Sequence, residues 1–178
     1  MSASLDKFEI VEQFGPYRFI GASVYVAIES RESGIVINAL WENSEWIFEA
    51  LDQLEEYATD EKNHFAFITY EKYDEKTGLM GYTIGRFMKA NTPVPKGMNY
   101  FDIEEMAVGK GWISVAKDCM GLSDKSHGPT MEAIKKACYI DTSYIWSADA
   151  YPPGYPQNPV PDKNGVFYFG TYTGCKKK

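Results

Sequence analysis

The sequence predicts an α+β fold in which two strand-helix-strand-strand units build one antiparallel sheet, with helices on one face and a cleft between the halves. Three observations carry this. The same order of hydrophobic periodicities occurs twice along the chain, short residue matches recur at similar offsets, and the composition suits one compact domain. The chain has 178 residues, 44% apolar and 24% charged, enough apolar side chain for a substantial core. A single domain over 1–178 is expected, with repeats over about 17–92 and 98–174.

The first unit opens with Tyr17 to Ile28, where Ile20, Ala22, Val24, Val26 and Ile28 alternate with Phe19, Gly21, Ser23 and Tyr25. This is the period of a half-buried strand, started by a turn at Gly15-Pro16. Leu40, Ile47, Leu51, Leu54 and Ala58 then recur at helical spacing among acidic residues. The pattern predicts a helix capped near Asn43 or Ser44, with Trp41 just before it or within a preceding turn and Trp46 in the core. Two strand-like runs follow from His64 to Met88, and Asp74 to Gly78 reads as the turn of a hairpin.

A loop with two prolines, Lys89 to Gly97, leads into the second unit. Met106 to Val115 reads as a strand, and Pro129 suits the first turn of a helix. "SYIWSADAY" and "GVFYFGTYTG" supply two further strands. "IGA" at Ile20 matches "VGK" at Val108, "YTIG" at Tyr82 matches "FYFG" at Phe167, and "EKY" at Glu71 matches "DAY" at Asp149, at offsets falling from 88 to 78. Shorter connections in the second copy explain the fall. With all helices on one face, the other face is expected to be partly bare, and the bare faces or the seam between the copies to form a concave surface suited to a small molecule.

Aromatic residues make up 15% of the chain, including thirteen Tyr and four Trp. Such side chains join an apolar body to a hydrogen-bonding tip and serve adaptable pockets and sheet cores alike. The net charge of −7, with no basic cluster beyond Lys176 to Lys178, argues against a nucleic-acid partner and favours cationic ones. Cys119, Cys138 and Cys175 are odd in number and widely spaced, and His64 and His127 are the only histidines. Neither a disulfide framework, a metal site nor a cofactor is expected from them. With no membrane-spanning run and no signal-like opening, a cytoplasmic location is expected.

The duplicated order, the segment Tyr82 to Ile113 with "YTIG", "NTPVPKGM" and "VGKGWI", and the acidic-x-Tyr strand at Asp149 together resemble the GyrI-like small-molecule-binding domain. The same domain forms the effector-binding half of several multidrug-responsive and AraC-type regulators. The likeness spans about Tyr17 to Tyr172. It implies binding of a bulky aromatic compound, cationic or neutral, in a cleft between the halves, held by stacked rings and an acid. Xenobiotic capture follows from it, in a stand-alone form, with inhibition of a protein partner left open as another output. Some GyrI-like proteins are described as hydrolases that open the cyclopropane ring of DNA-alkylating natural products, which leaves enzymatic activity as an alternative. A tetrapyrrole carrier is a weaker third reading. Asp149 stands where the family usually has Glu, and its shorter side chain brings a guest nearer the strand or recruits a water.

On these grounds Asp149, Tyr151, Trp112, Tyr82, Tyr168 and Trp41 are the candidate ligand-binding residues, and Asp149 or a nearby Tyr is the candidate acid or base for hydrolysis. Strand alternation puts Asp149 on the face of Tyr151 and away from Trp146. The alternative is an ordinary solvent-facing acid. Tyr82 and Tyr168 are expected as walls from corresponding strands, offset by one residue. Glycines 109 and 111 around Lys110 let something approach the backbone closely or mark a bulge. Glu71, the repeat partner of Asp149, is read as part of a solvated hairpin end.

Overall fold

The computed structural model describes residues 4–27, 30–74, 78–117, 124–143 and 145–178, with the side chains of 70–74 and 124 excepted. The chain runs β1 (Lys7–Phe14), β2 (Tyr17–Ala27), α1 (Arg31–Glu42), α2 (Glu45–Asp52), a short 3-10 turn (Glu55–Tyr57), β3 (His64–Asp74), β4 (Leu79–Lys89) and β5 (Asn99–Ile103). It continues through β6 (Met106–Val115), α3 (Asp124–Lys136), β7 (Tyr139–Asp141), β8 (Trp146–Tyr151) and β9 (Phe167–Lys177). All pairings are antiparallel, in the order β1-β6-β9-β8-β3-β4-β2-β5, with β7 beside β9.

This order reads the same in both directions once β1, β2, β4 and β3 are exchanged for β5, β6, β9 and β8, so the halves meet at the β3–β8 pair. Phe65 lies opposite Gly85 in the first half, Ala150 lies opposite Gly170 in the second, and Phe65 pairs with Ala150 at the seam. An approximate twofold axis therefore passes through the Phe65–Ala150 pair and relates Asp149 to His64. The short sequence matches misplace two equivalences. The counterpart of Asp149 is His64 and not Glu71, and Gly21, opposite Gly85, corresponds to Trp112, opposite Gly170, rather than to Gly109.

The helix expected to begin near Asn43 or Ser44 is α2, with Ser44 at its N-cap position, and a further helix, α1, precedes it. Asn43 Nδ2 donates to the Ala39 carbonyl at 2.8 Å and Ser44 Oγ donates to that of Trp41 at 2.7 Å. These polar side chains satisfy the last carbonyls of α1, which ends at Glu42, and α2 starts in a new direction. The turn reverses the two tryptophans: Trp41 is buried and Trp46 is 44% exposed. At the other end of α1, Ser30 Oγ accepts from the Ser33 N–H at 3.0 Å, an N-cap. Helix α3 begins five residues ahead of Pro129, which lies inside it. Strands β1, β5 and β7 are additional to those expected.

All three helices cover one sheet face. Gly109 and Gly111 point to this face, and what approaches them is α3: a Cβ on Gly111 would meet Thr130 Oγ1 at 1.9 Å and one on Gly109 would meet Ile134 at 2.6 Å. Ile20, Ile47, Leu51, Ile84 and Phe169 fill this layer.

The other face is not bare. Phe14, Phe19, Phe65, Phe67, Phe87, Trp146 and Tyr172 form a second buried cluster on it. Coiling of the sheet explains how strands cover their own face. Five strand spacings separate β1 from β4, about 24 Å if flat, yet the rings of Phe14 and Phe87 are 5.2 Å apart.

Candidate small-molecule site at the seam of the halves

Strand β8 turns Ser147, Asp149 and Tyr151 toward the helices, since Trp146, Ala148 and Ala150 belong to the opposite core. Across the ladders, Asp149 faces Ala66 of β3 and Thr171 of β9, and Tyr151 faces His64. Both direct neighbours of Asp149 are small. Both are fully buried, and the Asp149 carboxylate between them is half-buried.

The rings of this seam come from four parts of the chain. Tyr82 arrives from β4, Trp41 from the last turn of α1, Tyr151 from β8, and Tyr155 from the loop after it. Trp41 Nε1 donates to the Tyr82 hydroxyl at 3.0 Å. The Trp41 ring meets Tyr151 and Tyr155 edge-on at 4.7 and 4.9 Å, while Tyr151 and Tyr155 stack at 4.4 Å. A turn in which the Tyr155 N–H donates to the Pro152 carbonyl folds Tyr155 back over Tyr151. At this seam the rings rest on one another, and Trp41, Tyr82 and Tyr151 are each about 5% exposed.

Electrostatics tie the acid to the phenols. Burial pushes both Tyr82 and Tyr151 well above the usual tyrosine range. The negative charge of Asp149 raises both further, and a hydrogen bond joins the two hydroxyls. Both stay protonated, and one of the two hydroxyl protons is used in the hydrogen bond between them. Beside them His64 lies flat on Phe48, with centroids 3.4 Å apart, its Nδ1 2.9 Å from the Tyr155 carbonyl and its Nε2 3.1 Å from the Arg86 guanidinium. Arg86 pairs in turn with Asp52. Burial, the dominant cause, lowers the His64 pKa to about 4, so the ring is neutral, donating from Nδ1 and accepting at Nε2.

Of the six candidate residues, the fold brings Asp149, Tyr151, Tyr82 and Trp41 together. It does not bring Trp112 and Tyr168 to them. Strand alternation is the reason: Tyr82 corresponds to Phe167, and the one-residue offset to Tyr168 reverses the face. Tyr168 and Trp112 instead line a cavity of about 310 Å³ on the other side of the sheet. Further cavities of about 480 and 330 Å³ lie beside α2 at Arg86 and at the rim of the aromatic core at Phe101. Tyr155 and His64 belong to the seam group without having been singled out as site residues. The signal for Tyr155 was its place in "YPPGYP", four residues past Tyr151 across a turn-forming dipeptide. The Glu71 side chain lies outside the described residues.

Comparison with solved structures places this architecture. SAV2435 bound to tetraphenylphosphonium aligns with a TM-score of 0.61 at 9% identity, covering 96% of this chain and 94% of that one. A bacterial transcription regulation protein from Staphylococcus aureus MU50 aligns at 0.57 and 10% identity, covering 96% and 97%. The EcmrR C-terminal domain aligns at 0.51 and 11% identity, covering 97% of each chain. The chain has the fold of these proteins, consistent with the resemblance to GyrI-like domains. No protein-family model and no curated protein matches the sequence.

Proposed function

We propose that this protein binds bulky, flat aromatic compounds, cationic ones most tightly, at the seam between its halves. The observation that carries the reading is the half-buried Asp149 carboxylate on one sheet face with Tyr82 and Tyr151, beneath Trp41 and Tyr155. A cation placed there gains charge pairing with Asp149 and cation–π attraction of about 0.5–2 kcal/mol per ring. Tyr151 and Tyr155 stack on each other, and a flat guest would take the place of one of them. The likeness to SAV2435, solved with tetraphenylphosphonium, supports a bulky aromatic cation; that ion is tetrahedral, so flatness of the guest rests on the Tyr151–Tyr155 stack alone.

Titration with tetraphenylphosphonium tests this. The wild type is expected to bind saturably, and Asp149→Asn about tenfold more weakly, roughly 1.4 kcal/mol. A neutral triaryl analogue should distinguish little between the two proteins. Equal affinity of both for the cation would end the charge role of Asp149.

Hydrolysis of a strained, reactive xenobiotic in the same seam is the second reading. It is supported by likeness to a hydrolase from Listeria innocua, with a TM-score of 0.50 at 10% identity. Chromatography of a cyclopropane-bearing alkylator separates the readings: product growing with time supports turnover, and stoichiometric retention of intact compound supports capture.

A further inference from the structure

We propose that the cavity at Trp112 and Tyr168 is a second binding site, for a flat aromatic carboxylate. It lies on the sheet face away from the helices; none of its lining side chains belongs to the seam group, although the turn after β8 that holds Tyr155 also supplies Pro152 and Pro153 to its wall. Lys7, Trp112, Gly170 and Tyr168 point to this side, because Lys7 pairs with Trp112 across β1–β6 and Trp112 pairs with Gly170 across β6–β9. The missing side chain at Gly170 makes room for the indole, which would come within 2.3 Å of a Cβ there. Trp112 thereby lies down on the backbone and forms the floor.

The opposite wall is preformed. Pro152, Pro153, Val160, Pro161 and Val166 come from the loop between β8 and β9. Its arms are joined by Val160 N–H to Pro153 O and Asp162 N–H to Val166 O, both 2.8 Å. Asp162 Oδ1 accepts from the backbone N–H groups of Asn164 and Val166, each at 2.9 Å, so that carboxylate oxygen is spent on holding the loop. A wall fixed in this way loses little conformational entropy when a guest enters.

The polar groups determine the class of guest. Lys7 holds its ammonium 3.8 Å from the Tyr168 ring centroid and makes no ion pair within 4 Å among the described residues. Asn63 adds an amide to the lining. An aromatic ring between Trp112, Tyr168 and the prolines, with a carboxylate reaching Lys7 and Asn63, uses the rings, the ammonium and the amide; the Asp162 carboxylate also lines the cavity, within electrostatic reach of Lys7, and is the one charge among the described lining residues that opposes the guest. At about 310 Å³ the cavity sits at the low end of ligand sites, room for one bicyclic ring and not for a tetraaryl cation.

Calorimetric titration of the full chain with indole-3-acetate, indole and tryptamine is the test. Indole-3-acetate is expected to bind saturably and to shift the Trp112 indole N–H resonance, assigned by its loss in Trp112→Phe. Tryptamine should bind at least about threefold more weakly, as an exposed charge contact of up to about 1 kcal/mol allows. Lys7→Gln should weaken indole-3-acetate by a similar factor and leave indole unchanged, and high salt should erase the difference. Tyr168→Ser should weaken all three, and Asp149→Asn none. No saturable binding of indole-3-acetate, tryptamine binding as tightly, or indifference to Lys7→Gln would overturn the proposal while leaving the tetraphenylphosphonium result untouched.

Discussion

Removing the imidazole of His64 should flatten the acid dependence of folding stability. His64 is buried against Phe48 and held by Tyr155 and Arg86, with its pKa lowered to about 4. The unfolded chain carries an ordinary histidine near 6.5. Between these values the unfolded state binds more protons than the folded one, so stability falls as pH drops through this window. Integrating for one site, the loss is about 2 kcal/mol between pH 7 and pH 5. For a chain of this size that lowers the midpoint of melting by about 4–8 °C. His64→Gln should be less stable at pH 7, because the stack on Phe48 goes, but should lack this part of the pH dependence. Urea unfolding of both proteins at pH 5, 6 and 7 measures the difference in slope, in which His127 cancels. Carboxylates with lowered values, such as Asp102 and Asp162, act mainly below this window. Parallel stability–pH curves for wild type and His64→Gln would refute the reasoning.

Lys110→Met should destabilise by about 3 kcal/mol, because Lys110 and Glu61 form an ion pair about 10% and 13% exposed and the carboxylate would lose its cation. Adding Glu61→Gln should recover more than half of that, although Tyr172 donates to Glu61 in either case. Denaturant titration of single and double variants checks this, and a Lys110→Met protein as stable as wild type would contradict it. Gly111→Ala should cost about 2–3 kcal/mol by forcing Thr130 and α3 off the sheet. An unchanged midpoint in thermal unfolding would show that α3 does not rest there.

Much of the architecture was legible along the chain because periodicity is local. Alternation at Tyr17 to Ile28 marked β2 almost to its ends, the limits of β6 were those expected, and the same alternation placed Asp149 with Tyr151. Local pattern failed where short polar side chains intervened. Asn43 and Ser44 close an unforeseen helix, α1, ahead of α2 and so bury Trp41 instead of Trp46. It failed also at short strands such as β7, which exist because β9 offers them an edge.

The site divides in the same way. Which residue types suit a cationic aromatic guest could be seen from "SADAY" and the surplus of rings, because that is chemistry carried by single side chains. Which rings share a surface could not, since a slip of one residue between the halves moves Tyr168 to the far side of the sheet. Only the assembled sheet, coiled until Phe14 touches Phe87 and joined at Phe65–Ala150, sets His64 in the place related to Asp149 and gathers Trp41 and Tyr155 over Tyr151. Those contacts span long separations in sequence, and register, coiling and turn geometry act together to make them.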